Sequence, residues 1–145
     1  MSTRRALAPA SMATAGRPRA DELITSWGPT VGRVLLGLVL AWFGYHELVQ
    51  PSLWTGYIPF VHSASAFAVI LVLAHGWLLL VLAVALIAGV APRVAAAISG
   101  LLLLEVVLSL VITGGLSDLT MRDVGVLGLA VTVAASADQR FALTR

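Results

Sequence analysis

Cysteine is absent from this chain, lysine is absent with it, and charged residues of either sign make up only 11% of the 145 residues. Without cysteine there is no thiol–disulfide chemistry, no thiolate metal site and no cysteine-held iron–sulfur cluster. A soluble domain carries about one quarter charged residues. So little charge, beside 59% hydrophobic residues and a mean hydropathy of +0.98, belongs to the membrane class. The isoelectric point near 9.9 comes from arginine alone. Most of these arginines flank apolar runs, so they read as topology signals and not as a nucleic-acid-binding face. Also missing are a phosphate-cradling glycine loop, a nucleophile elbow and any His-x-x-His spacing. His46, His75 and Glu105 therefore give no metal-ligand pattern, and no metal is expected.

What is present is organised around Leu101-Leu102-Leu103-Leu104-Glu105-Val106-Val107-Leu108-Ser109-Leu110. One carboxylate stands inside an otherwise apolar helix. An ionisable group in a membrane span costs at least a few kcal/mol, so it normally faces the bundle interior and has a partner. The depth of Glu105, and the residues that share it, locate a site better than they name a reaction.

In chain order, residues 1–29 are polar, small and proline-containing, and read as a disordered cytoplasmic tail. The Arg4-Arg5 pair suggests a twin-arginine signal, but the stretch after it is weakly apolar and holds Pro9. Trp27 marks the membrane surface. The spacing predicts span one over residues 31–49, about 28 Å at 1.5 Å per residue, with Gly37 and Ala41 as a small-residue stripe. Between Gln50 and Ser65, Leu53, Trp54, Tyr57, Ile58 and Val61 fall at helical spacing, and Pro51 and Pro59 bracket the core of the stretch. This predicts a short helix lying in the interface, as an aromatic belt or as a gate over a pocket. Span two covers about 66–90 and carries His75; span three covers about 94–112 and carries Glu105. Span four begins by Leu119, which puts Arg122 and Asp123 in its first turns, and ends near Ala137. The expectation is an all-α bundle of four transmembrane helices: tail 1–29, membrane domain 30–138, and a short cytoplasmic tail 139–145.

Seven of the nine arginines fall at the end shared by the two termini and the 91–93 turn, with Arg33 at its edge and Arg122 alone at the other end. The positive-inside rule then puts both termini in the cytoplasm. With that topology His46 and Glu47 lie near the outer face. Glu105 is roughly 10 Å below it and His75 roughly 13 Å, while Arg122 and Asp123 open span four from the same side. The ionisable groups collect in the outer half, above an almost purely aliphatic inner half.

This placement makes Glu105 and His75 candidate catalytic groups that handle protons, with Arg122 holding Glu105 and Asp123 supporting Arg122. Ser109 and Thr113 extend the polar stripe outward from Glu105. A quinone or similar ring would suit such a site, with Trp42, Trp54 and Trp77 as stacking walls and His46 and Glu47 as further ligand-binding residues. The blander readings are a Glu105–Arg122 pair that only fixes helix register, a hydrogen-bonded interior His75, and tryptophans that serve as interface anchors.

At these residues the chain resembles the DoxX family of small four-helix membrane proteins, over residues 33–137. The likeness rests on Arg33-x-x-x-Gly37, then Gly44-Tyr45-His46-Glu47-Leu48 followed by Pro51 and Trp54. It continues in Gly89-Val90-Ala91-Pro92-Arg93-Val94-Ala95-Ala96 and in Met121-Arg122-Asp123-Val124-Gly125. The family's first span often ends Gly-x-x-Lys-Leu; here Glu47 stands at the lysine position and reverses its charge. The resemblance implies a small subunit of a bacterial inner-membrane oxidoreductase, such as the thiosulfate:quinone type, or of an oxidative-stress complex. A quinone is then the implied ligand, with no covalent cofactor. The implied partners are the bilayer, a further protein of the complex and a second copy of the chain, with no nucleic acid. Lacking cysteine, the chain is unlike thiol-dependent relatives of the vitamin K epoxide reductase type. Two other functions fit the same sequence: a non-enzymatic anchor for a soluble partner, and a proton or small-solute transporter, against which the aliphatic inner half speaks.

Overall fold

The computed structural model describes residues 19–136 and 142–143, with side chains from Trp27 onward. The expected tail segments at 1–18 and most of 139–145 lie outside the described residues. Four helices follow in order: α1 (Arg19–Val49), α2 (Ala66–Ala88), α3 (Pro92–Gly114) and α4 (Asp118–Ala135), and no strand occurs among the described residues. The chain is all-α, as the sequence predicts.

The N-terminal boundary needs correction. Residues 19–29, expected to belong to a disordered tail, are helical and continuous with span one, and Pro29 sits inside the helix. Pro29 removes one N–H donor from the backbone ladder, and the helix runs on through it.

Three helical segments are long and apolar enough to cross a membrane: Trp27–Val49, Ala66–Ala88 and Pro92–Gly114. The fourth helix, with Asp118, Arg122 and Asp123 in its first two turns, is less apolar. Only about a third of an 18-residue apolar stretch in each is buried within the bundle (33%, 33% and 39%). The remainder is an outward face of residues such as Val31, Leu35, Leu38, Val81, Val84 and Leu101. Such a surface is stable against lipid and not against water. The protein is a multi-pass membrane protein whose apolar faces contact the bilayer.

Local chemistry sets the ends of the helices. The Ser65 hydroxyl accepts from the Ala68 N–H at 3.1 Å and starts α2, while Ser117 does the same for α4 through Thr120 N–H at 3.3 Å. Gly89 closes α2 in the left-handed region, at φ 77°, and Pro92 opens α3 two residues after Val90. Ser65→Ala should lower stability by about 1 kcal/mol, the usual worth of an N-cap hydroxyl, measurable as a lower melting temperature in detergent.

The stretch between α1 and α2 is not one interfacial helix. It forms two successive 3₁₀ turns, Pro51–Leu53 and Thr55–Tyr57, and then irregular backbone. Pro51, Gly56 and Pro59 each interrupt the α-helical ladder within nine residues, and short 3₁₀ turns accommodate such a sequence.

The helices alternate in direction. Ser136, beyond α4, accepts from Arg93 Nε at the start of α3 (3.0 Å), and Leu143 N–H donates to the Gly89 carbonyl (2.8 Å). The end of α4 and the α2–α3 turn therefore share one end of the bundle. The closest pairings are α1 with α2 and α3 with α4; the two pairs meet less extensively. Leu36, Leu40, Leu82, Leu86, Ala96 and Val133 fill the space between them toward that end. Toward the other end the two pairs leave a cavity.

Candidate functional site

The cavity holds about 280 Å³, near the lower end of the range of ligand pockets. α1 contributes Leu40, Phe43 and Glu47, α2 contributes Leu71, Val72, His75 and Leu79, and α3 supplies one wall from Leu102 to Leu110. Leu119 and Asp123 come from α4, and Trp54, Tyr57 and Ile58 from the 3₁₀ turns. The stretch read as belt or gate thus forms part of the cavity wall.

The ion pairs differ from the sequence expectation. His75 Nδ1 stands 2.8 Å from Glu47 Oε2, with side-chain exposures of 21% and 9%. A carboxylate only accepts, so Nδ1 carries the hydrogen. Nε2 is then buried with no hydrogen-bond partner among the described residues. Arg122 does not hold Glu105. Its Nε donates to Asp123 Oδ1 at 3.0 Å, and its guanidinium lies 4.8 Å from the Phe43 ring centroid. Asp123, the acceptor in this pair, is buried. Glu105 lines the cavity, is exposed at its edge, and accepts from the Ser109 hydroxyl at 3.2 Å. Thr113 continues this ladder by donating to the Ser109 carbonyl at 2.8 Å.

Close backbone approach brings Glu47 to His75. A Cβ on Gly44 would stand 2.7 Å from the Gly76 carbonyl oxygen, and one on Gly76 would meet Glu47 Cβ at 3.0 Å. With no side chain at either position, α1 and α2 touch at this level, one turn from Glu47 and one residue from His75.

Other expected site residues lie elsewhere. His46 donates to the Trp42 carbonyl (2.8 Å) and packs on the Trp42 ring at 4.3 Å, away from the cavity. Trp42 and Trp77 are 65% and 62% exposed on the outer surface, so neither is a stacking wall. Trp54 lines the cavity, edge-on to Phe43 at 6.3 Å, with Tyr57 beside it at 6.3 Å. Phe43 and Tyr57 were not among the expected site residues. Phe43 was legible as the residue one turn before Glu47 on the same face.

Arg33 also departs from expectation. Expected at the edge, it is buried at 2% exposure toward the aliphatic end, and its Nε and Nη1 have no hydrogen-bond partner among the described residues. Glu47, His75, Glu105 and Asp123 nevertheless line the same cavity. No family model, curated protein or solved structure matches the chain.

Proposed function

We propose that the chain is a small DoxX-like membrane subunit that binds a quinone or similar lipophilic ring for a redox complex. The observation that carries this reading is the Glu47–His75 pair on the wall of an apolar, aromatic-bordered cavity, with His75 Nε2 unpartnered. Reduction of a quinone takes two electrons and two protons to the quinol. The electrons come from a redox partner in the complex, and the protons from groups beside the ring.

As the imidazolium, His75 donates from Nε2 to a ring carbonyl, while its Nδ1–H donates to Glu47, which fixes the orientation of the imidazole ring. Glu105, at the cavity edge, is the second proton-handling group. Phe43 and Trp54 give the ring an aromatic surface. The arginine distribution supports an orientation with both termini cytoplasmic; in a four-span arrangement in a bacterial inner membrane the cavity then lies in the outer half of the bilayer.

Titration of a short-chain quinone into the full-length protein in nanodiscs, followed by tryptophan quenching, tests the proposal. A hydrogen bond to a charged or polarised imidazole contributes about 1.5–3 kcal/mol. His75→Phe should therefore weaken binding at least roughly tenfold. A titration curve that His75→Phe leaves unchanged would refute the reading.

A further inference from the structure

Charge around the cavity does not balance. Three carboxylates border it: Glu47, Glu105 and Asp123. Glu47 is matched by His75 at 2.8 Å and Asp123 by Arg122 at 3.0 Å. Glu105 forms no ion pair among the described residues, and its one hydrogen-bond partner is the neutral Ser109 hydroxyl. His75 lies within electrostatic reach of Glu105, but its Nδ1–H is given to Glu47; a carboxylate within an apolar helix that has no salt bridge of its own attracts a cation.

The walls nearby suit a cation. Phe43, Trp54 and Tyr57 form one connected aromatic group at the cavity. Phe43 already carries the Arg122 guanidinium over its ring, so this surface accommodates positive charge. Aromatic faces attract cations by their negative quadrupole, more strongly where water is excluded. Leu71, Leu79, Leu102 and Val106 complete an apolar lining for a hydrophobic body.

We infer that the cavity binds lipophilic cations: an ammonium or phosphonium centre on an apolar body, its charge held by Glu105 and the Trp54–Tyr57 aromatics. The inference goes beyond the redox reading and requires no electron transfer.

The test is equilibrium dialysis of radiolabelled tetraphenylphosphonium against the full-length protein in phosphatidylcholine nanodiscs, with empty nanodiscs subtracted. The uncharged probe is triphenylphosphine oxide, which has three of the same aryl groups and no net charge. The cation should bind saturably and at least tenfold more tightly than the oxide. Glu105→Gln should weaken cation binding at least tenfold and leave oxide binding unchanged, whereas Glu105→Asp should stay within a few-fold of the parent. Equal binding of the two probes, or an unchanged phosphonium affinity in Glu105→Gln, overturns the inference. Should Glu105→Gln aggregate, the comparison of the two probes on the parent protein still decides it. Binding of a neutral quinone is a separate measurement, so a failure here leaves the redox reading to its own test.

Discussion

Gly44→Ala should destabilise the protein by about 1–3 kcal/mol, the usual penalty of an added methyl group in a packed interior, and should weaken ligand binding as well. The new Cβ would lie 2.7 Å from the Gly76 carbonyl oxygen and 3.1 Å from Leu80 Cγ. The first of these is backbone, which cannot swing aside as a side-chain tip can. Relief requires α1 and α2 to separate, and the separation acts one turn from Glu47, on the 2.8 Å contact with His75. Gly128→Ala makes the same chemical change in α4, where nothing lies within 4 Å of the new atom. It should be neutral or stabilising by up to about 1 kcal/mol, because alanine is the better helix former. Thermal unfolding in detergent and the quinone titration, run on both variants, check the contrast. Equal melting temperatures for the two would show that the α1–α2 approach is not a tight contact.

The helices were legible because an apolar run of about 20 residues has few alternatives, and the depth of each ionisable group followed from a fixed rise per residue. The rotation of each helix was partly legible. At roughly 100° per residue, Trp77 lies on the opposite side of α2 from His75, and Trp42 about 140° from Glu47 on α1. Counting those angles removes both tryptophans from the cavity; Phe43, about 40° from Glu47, stays on it.

Pairing between helices was not legible, since it depends on which faces meet. Arg122 could reach Glu105 by depth, yet it turns to Asp123, its neighbour in the chain, and to the Phe43 ring. Glu47 finds His75, 28 residues away, because two glycines let α1 and α2 touch. The helical start at Arg19 was hidden by polar composition and by Pro29, and the 3₁₀ turns by apolar spacing that resembles a helix.

Breaking the Glu47–His75 pair from either side should be more costly than removing both partners. His75→Leu leaves a carboxylate with 9% side-chain exposure without its donor, and losing one partner of a buried pair typically costs about 3–5 kcal/mol. Glu47→Leu leaves an imidazole, which can shed its charge and remain neutral, so its penalty should be the smaller of the two. The double variant Glu47→Leu/His75→Leu strands neither group and places two apolar side chains at a helix contact. Its stability should lie above that of His75→Leu alone, with a coupling of roughly 0.5–3 kcal/mol between the sites. Ligand binding should follow a different order: weakened in Glu47→Leu, where His75 loses its orienting partner, and lost in both variants that lack His75. Unfolding of the four proteins in mixed micelles, paired with the quinone titration, separates the two effects. Strictly additive stabilities would mean that the 2.8 Å contact carries no energetic coupling. Quinone binding retained in the double variant would mean that the cavity recognises its ligand by shape alone.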